Sequence, residues 1–129
     1  MNKLNLFALL FFIALSPEQI IGAGIPPQVV PTIAKMKQCS PASYSFFESQ
    51  VKSIRYSPTD RFGFVDPEIP YTVFIGNRYV EFPSTSFEAM TVLAHEARHL
   101  WQLKNWSPEQ TFSLFGEQEA QTFAEDMLW

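Results

Sequence analysis

Residues 85–104 read TSFEAMTVLAHEARHLWQLK, and this stretch governs how the rest of the chain is interpreted. Thr85 followed by Glu88 is typical of a capping box, which predicts that a helix begins here. From Phe87 to Lys104 there is no glycine or proline, and apolar residues recur at steps of three and four. That spacing predicts one long helix with a buried apolar stripe.

Inside this helix, His95, Glu96 and His99 form the pattern His-Glu-x-x-His. Side chains at i and i+4 lie about 6 Å apart on one face of a helix, so the two imidazoles can bind one zinc ion. Glu96 lies at the rim of that face, where it can act as general base on a water that the metal activates. The chain has only two histidines. We therefore predict one Zn²⁺ ion with His95 and His99 as ligands and Glu96 as the catalytic residue.

An open catalytic zinc site needs a third protein ligand, and no further histidine is present to provide it. Glu117 and Glu119 lie in the next helical stretch, which follows a second capping box at Ser107–Gln110. Glu117 shares a helix face with Ala120, whose small side chain allows close helix approach, and with Gln121, which is placed to hydrogen-bond a ligand histidine. This phase favours Glu117 as the third ligand and leaves Glu119 as the alternative.

Together these features resemble the zincin class of zinc metallopeptidases, in its gluzincin branch, where a glutamate on a helix after the motif is the third ligand. The stretch at 117–124, EQEAQTFA, is similar to a segment of the prenyl-protein-processing, membrane heat-shock and mobile-element repressor-cleaving peptidases. The resemblance covers residues 71–126 and implies that Glu117 binds the metal. It also implies that 71–75 or 78–82 forms an edge strand alongside which a peptide substrate binds.

The middle of the chain predicts the sheet. Residues 51–56, VKSIRY, alternate apolar and polar side chains as a half-buried strand does, and residues 57–70 carry three prolines that are typical of a loop. Two β-rich runs, 71–75 and 78–82, are separated by Gly-Asn, which predicts a β-hairpin. We therefore predict an α+β fold. Its short antiparallel sheet, with the hairpin near 71–82, packs on the zinc-binding helix, and a C-terminal helix bearing the glutamate follows.

Residues 1–24 are typical of a secretory signal peptide. Lys3 precedes an uncharged apolar run from Leu4 to Leu15, and small residues follow at 22–24. The run is shorter than the roughly 20 residues of a membrane-spanning helix. We predict cleavage near residue 24, export to the periplasm or the medium, and a single metallopeptidase domain over 25–129. An uncleaved N-terminal membrane anchor is the alternative.

The composition limits the kinds of partner. A length of 129 residues with 47% hydrophobic residues fits one domain. The formal net charge of −4 argues against a nucleic-acid partner held by phosphate contacts. Cys39 is the only cysteine, which excludes an intramolecular disulfide and a cysteine-rich zinc site. We predict a peptide or protein substrate, no nucleic acid and no stable membrane span after signal cleavage, and the sequence gives no indication of the oligomeric state.

The function predicted from these residues is zinc-dependent hydrolysis of peptide bonds by an endopeptidase. One alternative is a non-catalytic, zinc-stabilised module that binds a protein or peptide, and another is a secreted toxin or effector with one target. The presence of Glu96 favours catalysis, because stabilisation by zinc does not require it. A group that stabilises the developing oxyanion is also needed, and the sequence leaves Tyr71, Tyr79, Arg78 and Arg98 as candidates.

Overall fold

The computed structural model describes residues 26–81 and 83–128, which form an α+β fold with a three-stranded mixed sheet and five α-helices. The predicted signal segment, residues 1–24, lies outside the described residues. Among the helices of the described part, none combines the length and the apolar character that crossing a bilayer requires.

In the described part of the chain, two α-helices precede the sheet in the sequence and three follow it. A 3₁₀ turn at Pro27–Val29 leads into α1 (Val30–Cys39) and α2 (Pro41–Gln50), and after the sheet come a 3₁₀ helix at Asn77–Glu81, α3 (Phe87–Asn105), α4 (Pro108–Thr111) and α5 (Leu114–Leu128). Pro41 occupies the first turn of α2, where its missing N–H has no helical partner to lose.

The sheet consists of β1 (Ser53–Ser57), β2 (Phe64–Asp66) and β3 (Ile69–Gly76), in the spatial order β1-β3-β2. The predicted strand at 51–56 is confirmed as β1, which pairs with β3 in parallel. The antiparallel partner of β3 is β2, which arises from the stretch predicted to be a loop. The sheet is therefore mixed, and its edges are β1 and β2.

The predicted antiparallel hairpin near 71–82 is wrong. The chain does not turn back after Gly76 but continues into the 3₁₀ helix. The N–H groups of Asn77 and Arg78 donate to the carbonyls of Asp60 and Arg61, at 2.8 and 3.0 Å. Backbone donors at the start of the expected return strand are thus bound to the preceding loop, a tertiary contact that local turn preferences do not contain.

Gly76 is required by the same contact. A Cβ atom at this position would lie 2.6 Å from the Asp60 carbonyl oxygen and from backbone atoms of Arg61 and Phe62. The prediction that 71–75 or 78–82 forms an edge strand is also wrong. Residues 71–75 belong to β3, which is the central strand, and residues 77–81 are helical. Of the two edge strands, β2 has the more extensive contact with α3, the helix that carries His95 and His99.

The long helix α3 begins one residue later than the capping box predicts. Ser86, and not Thr85, is the N-cap, and its hydroxyl accepts a hydrogen bond from the N–H of Ala89 at 3.2 Å. The helix packs its apolar stripe into the core formed with the sheet and the first two helices. Core side chains without exposed surface include Ile33, Met36, Phe47, Val51, Val73 and Leu93.

The second capping box is confirmed. The Ser107 hydroxyl accepts from the N–H of Gln110, and the Gln110 side chain accepts from the N–H of Ser107, each at 3.1 Å. The helix that it starts is short, however, and ends at Thr111. A new helix, α5, begins at Leu114, and this break sets the direction in which α5 crosses α3.

Candidate metal centre

The two histidines lie on the buried side of α3. His99 is 2% exposed, and its imidazole lies nearly perpendicular to that of His95, at 78°, with the two centroids 4.7 Å apart. Ala97 and Leu93 on the same helix are buried in the core. Because packing fixes the helix, it also fixes the positions of both imidazoles.

Glu117, in the first turns of α5, faces both histidines. Its Oε1 atom lies 3.1 Å from Nε2 of His95 and 2.9 Å from Nε2 of His99. One ligand atom from each of the three residues lies within 4.8 Å of the others. The sequence-derived preference for Glu117 therefore agrees with the geometry.

Small residues line the inner face of α5, where Gly116, Ala120 and Ala124 are buried. A Cβ atom at Gly116 would lie 2.1 Å from the carbonyl oxygen of Thr111, the last residue of α4. Only glycine therefore fits, without displacement of the chain, where α4 is followed by α5, and Glu117 is the next residue.

Glu119, the other candidate ligand, faces away from this group. Its carboxylate accepts three hydrogen bonds from Arg98, one from Nη2 to Oε2 at 2.7 Å and two from Nε to Oε1 and Oε2 at 3.0 and 3.2 Å. The Arg98 guanidinium lies over the rings of Trp101 and Phe123, 3.8 and 4.1 Å from their centroids. Glu119 thus links the two helices as an ion pair, beside the histidines but not among them.

Two glutamines contact the outer nitrogens of the imidazoles. Oε1 of Gln121 lies 2.9 Å from Nδ1 of His95, which is the contact that its spacing from Glu117 predicts. Oε1 of Gln102 lies 2.7 Å from Nδ1 of His99, and Gln102 has no exposed surface. Gln102 was missed by sequence reasoning, although its position three residues after His99, on the same helix face, is a usable signal.

The surroundings of His95 and Glu117 lower the pKa values of both side chains. Burial, followed by the nearby His99, lowers the pKa of His95. Burial alone would raise the pKa of Glu117, but the neighbouring imidazoles of His99 and His95 outweigh it and hold the pKa below its usual value. The shifts favour the neutral imidazole of His95 and the ionised carboxylate of Glu117, the forms that can bind a cation.

Glu96 is buried next to this group, with 6% of its surface exposed. Burial raises its pKa to about 8, and the negative charge of Glu117 adds to the effect. The backbone of Gly63, just before β2, lies against it, since a Cβ there would be 3.2 Å from Cγ of Glu96 and 3.1 Å from Val92. A carboxyl group with a pKa near neutrality can both accept and release a proton.

A cleft of about 540 Å³ opens beside His95 and Glu96. It is lined by residues 61–63, by Arg78 and Tyr79 of the 3₁₀ helix, by side chains of α3, and by Gln121 and Glu125 of α5. The volume lies within the usual range of small-molecule and cofactor sites, about 300–1,000 Å³. A buried carboxyl group and an imidazole therefore border a space that admits a ligand.

The four candidates for oxyanion stabilisation lie in three different places. Arg78 and Tyr79 line the cleft. The hydroxyl of Tyr79 is hydrogen-bonded to Thr32, and burial raises the pKa of Tyr79 to about 12. Tyr71 borders a different, smaller cavity, and the guanidinium of Arg98 is bound to Glu119.

Comparison of the chain with protein-family models, with curated proteins and with solved structures gives no match. Conclusions about function therefore depend on the geometry of the described residues.

Proposed function

We propose that this protein is a zinc-dependent peptidase that uses one Zn²⁺ ion. His95, His99 and Glu117 would hold the metal, and Glu96 would act as general base in the hydrolysis of a peptide bond. The proposal depends on one observation, that Oε1 of Glu117 lies 3.1 Å from Nε2 of His95 and 2.9 Å from Nε2 of His99.

The chemistry of the donor set fits zinc. Two imidazoles and one carboxylate are a ligand set of catalytic zinc sites, which keep a further position open for water or substrate. When bound, zinc lowers the pKa of water and polarises a carbonyl group. Magnesium and calcium prefer oxygen ligands, so a site with two nitrogen donors favours zinc over them.

The surroundings of Glu96 support catalysis over a purely structural metal site. Burying a carboxyl group costs free energy unless the burial is compensated by other interactions. A zinc site that only stabilises the fold does not require such a group at this position. Glu96 borders the cleft and has a pKa of about 8. It is therefore suited to exchange a proton with a molecule bound in the cleft near neutral pH.

We also propose that the chain acts after export, in the periplasm or the medium, as its N-terminal sequence predicts. N-terminal sequencing of the protein recovered from a secreting host would test this. A mature N-terminus near residue 25 is expected, and an intact Met1 would contradict it.

The function is tested by comparing the wild type with Glu96→Gln. Metal analysis should find one zinc per chain in both proteins. Incubation with a complex peptide mixture, followed by mass spectrometry, should give new termini with the wild type and at least about 100-fold slower cleavage with the variant. Glu88→Gln is the matched control, because Glu88 lies on the same helix and lines the same cleft but is exposed.

Three outcomes separate the alternatives. Absence of zinc from both proteins would refute the metal site. Equal cleavage by the wild type and Glu96→Gln would refute the assigned general base. Zinc binding without cleavage of any peptide in the mixture would favour the binding module or a single-target effector.

A further inference from the structure

We propose that Gln102 is a positioning residue that holds His99 in the tautomer with hydrogen on Nδ1, so that the lone pair of Nε2 faces Glu117. The inference extends the proposed metal site, since it assigns a role in preparing that site to a residue that does not bind the metal. It follows from the hydrogen bonds of one fully buried amide.

The orientation of the Gln102 amide is determined by its partners. Its Nε2 donates to the backbone oxygen of Gly116 at 3.0 Å and to Oε1 of Glu119 at 2.8 Å. A carbonyl and a carboxylate only accept hydrogen bonds, so the NH₂ group must face them. The oxygen of the amide must then face Nδ1 of His99, 2.7 Å away.

The tautomer of His99 follows from this orientation. An amide oxygen accepts and cannot donate, so Nδ1 of His99 has to carry the hydrogen. In a neutral imidazole the other nitrogen then has a free lone pair. That nitrogen, Nε2, is the one that lies 2.9 Å from Oε1 of Glu117. Two acceptor atoms facing each other at this distance form a place for a cation.

Without Gln102, His99 has a competing arrangement. The hydrogen can move to Nε2 and be donated to the Glu117 carboxylate, the remaining strong acceptor nearby. That arrangement uses both proposed ligand atoms in a hydrogen bond with each other. A metal would have to break it, so zinc affinity would fall.

Glu119 holds the amide of Gln102 in place, and Arg98 holds Glu119. Glu119 accepts from the Gln102 amide while Arg98 binds the same carboxylate through two nitrogens. The charge of Glu119 is thus balanced, and the group that contacts His99 is a neutral amide. Partners of this kind orient a ligand histidine and raise its affinity for metal.

Gln121 makes the corresponding contact with His95 but is less constrained. Its NH₂ group donates to Oε2 of Glu125 at 2.9 Å, on an exposed part of α5. Gln121 is half-buried, whereas Gln102 is fully buried. We therefore expect the tautomer of His99 to be more strongly fixed than that of His95.

The test is a long-range ¹H–¹⁵N correlation spectrum of the metal-free protein at about pH 8, where free imidazole is neutral. Wild-type His99 should show hydrogen on Nδ1. In Gln102→Leu the hydrogen should move to Nε2, and zinc affinity, measured by competition with a chelator, should fall about 10- to 100-fold. Gln118→Leu is the control, since Gln118 is exposed on α5.

Gln102→Met covers the case in which the leucine variant does not fold, because methionine keeps the length of the glutamine side chain but removes the amide. It should show the same move of the hydrogen to Nε2. A wild-type spectrum with hydrogen on Nε2 of His99 overturns the inference, and so does an unchanged tautomer in folded Gln102→Leu. Because the spectrum is recorded without metal, a protein that binds no zinc refutes the proposed function but not the tautomer assignment.

Discussion

Oε1 of Glu117 lies 2.9 Å from Nε2 of His99, although 18 positions of the chain separate the two residues. Two helices and the break between α4 and α5 bring them together. Gly116 allows α5 to start against the end of α4, and Gln102 joins α3 to α5 by donating to the Gly116 carbonyl. The candidate metal centre is therefore built on the junction of two packed helices, and small changes at that junction should affect metal binding.

The first prediction separates the two candidate carboxylates. Glu117→Ala should lower zinc affinity by at least about 100-fold, because it removes one of three ligand atoms. Glu119→Ala should still bind one zinc per chain, with a loss of about 10- to 100-fold, because Gln102 loses a hydrogen-bond partner. Titration against a chromophoric chelator measures both. A larger loss in Glu119→Ala than in Glu117→Ala would reverse the assignment.

The second prediction concerns the helix junction. Gly116→Ala should lower the free energy of unfolding by about 2 kcal/mol, since its Cβ would overlap backbone atoms that cannot rotate away. Zinc affinity should fall as well, because Glu117 is displaced with the backbone. Chemical denaturation and chelator competition check the two effects. Gln118→Ala, an exposed substitution on the same helix, should change stability by no more than about 0.5 kcal/mol.

Much of the candidate metal centre depends on local geometry and could be predicted from the sequence. The spacing of His95 and His99 places them on one helix face, and helical phase alone distinguishes Glu117 from Glu119. Gln121 follows from the same phase. Each of these inferences needs only the geometry of a single helix, which periodicity and capping residues specify well.

The pairing of the strands depends on long-range contacts, and the predicted antiparallel hairpin is wrong. Gly76-Asn77 has the composition of a hairpin turn, but the N–H of Asn77 binds the carbonyl of Asp60. The strand that pairs antiparallel with β3 lies in a proline-rich stretch whose local sequence resembles a loop. The pairing of Arg98 with Glu119, on another helix, likewise depends on how α5 crosses α3.

The third prediction concerns the effect of zinc on stability. A ligand that binds only the folded protein stabilises it by about 2.7 kcal/mol at 100 times its Kd. For a domain of this size the melting temperature should rise by on the order of 10 °C. Differential scanning fluorimetry with added zinc, after chelator treatment, measures the shift. Magnesium should give none because it prefers oxygen ligands, and an equal shift in Glu117→Ala would contradict the assigned site.

The fourth prediction is the pH dependence of the metal-free protein. The pKa of Glu96 is about 8 in the folded protein, against a usual value of 4.5. Between these two values the folded state binds more protons than the unfolded state, so stability falls as the pH rises. The loss contributed by Glu96 is up to about 4–5 kcal/mol and is complete above the folded pKa. Urea denaturation from about pH 4 to 9, with a chelator present, measures it.

Glu96→Gln isolates this contribution, because its amide does not titrate while the other groups of the protein still do. The free energy of unfolding of the variant minus that of the wild type should increase between about pH 4.5 and 8 and then level off. Burial is the larger cause of the raised pKa and the charge of Glu117 the smaller. With Glu117→Gln present in both proteins, the rise should therefore end at a lower pH, while it still begins near the usual pKa of 4.5. A difference that does not change with pH would show that Glu96 is not buried as a titrating group beside the cleft.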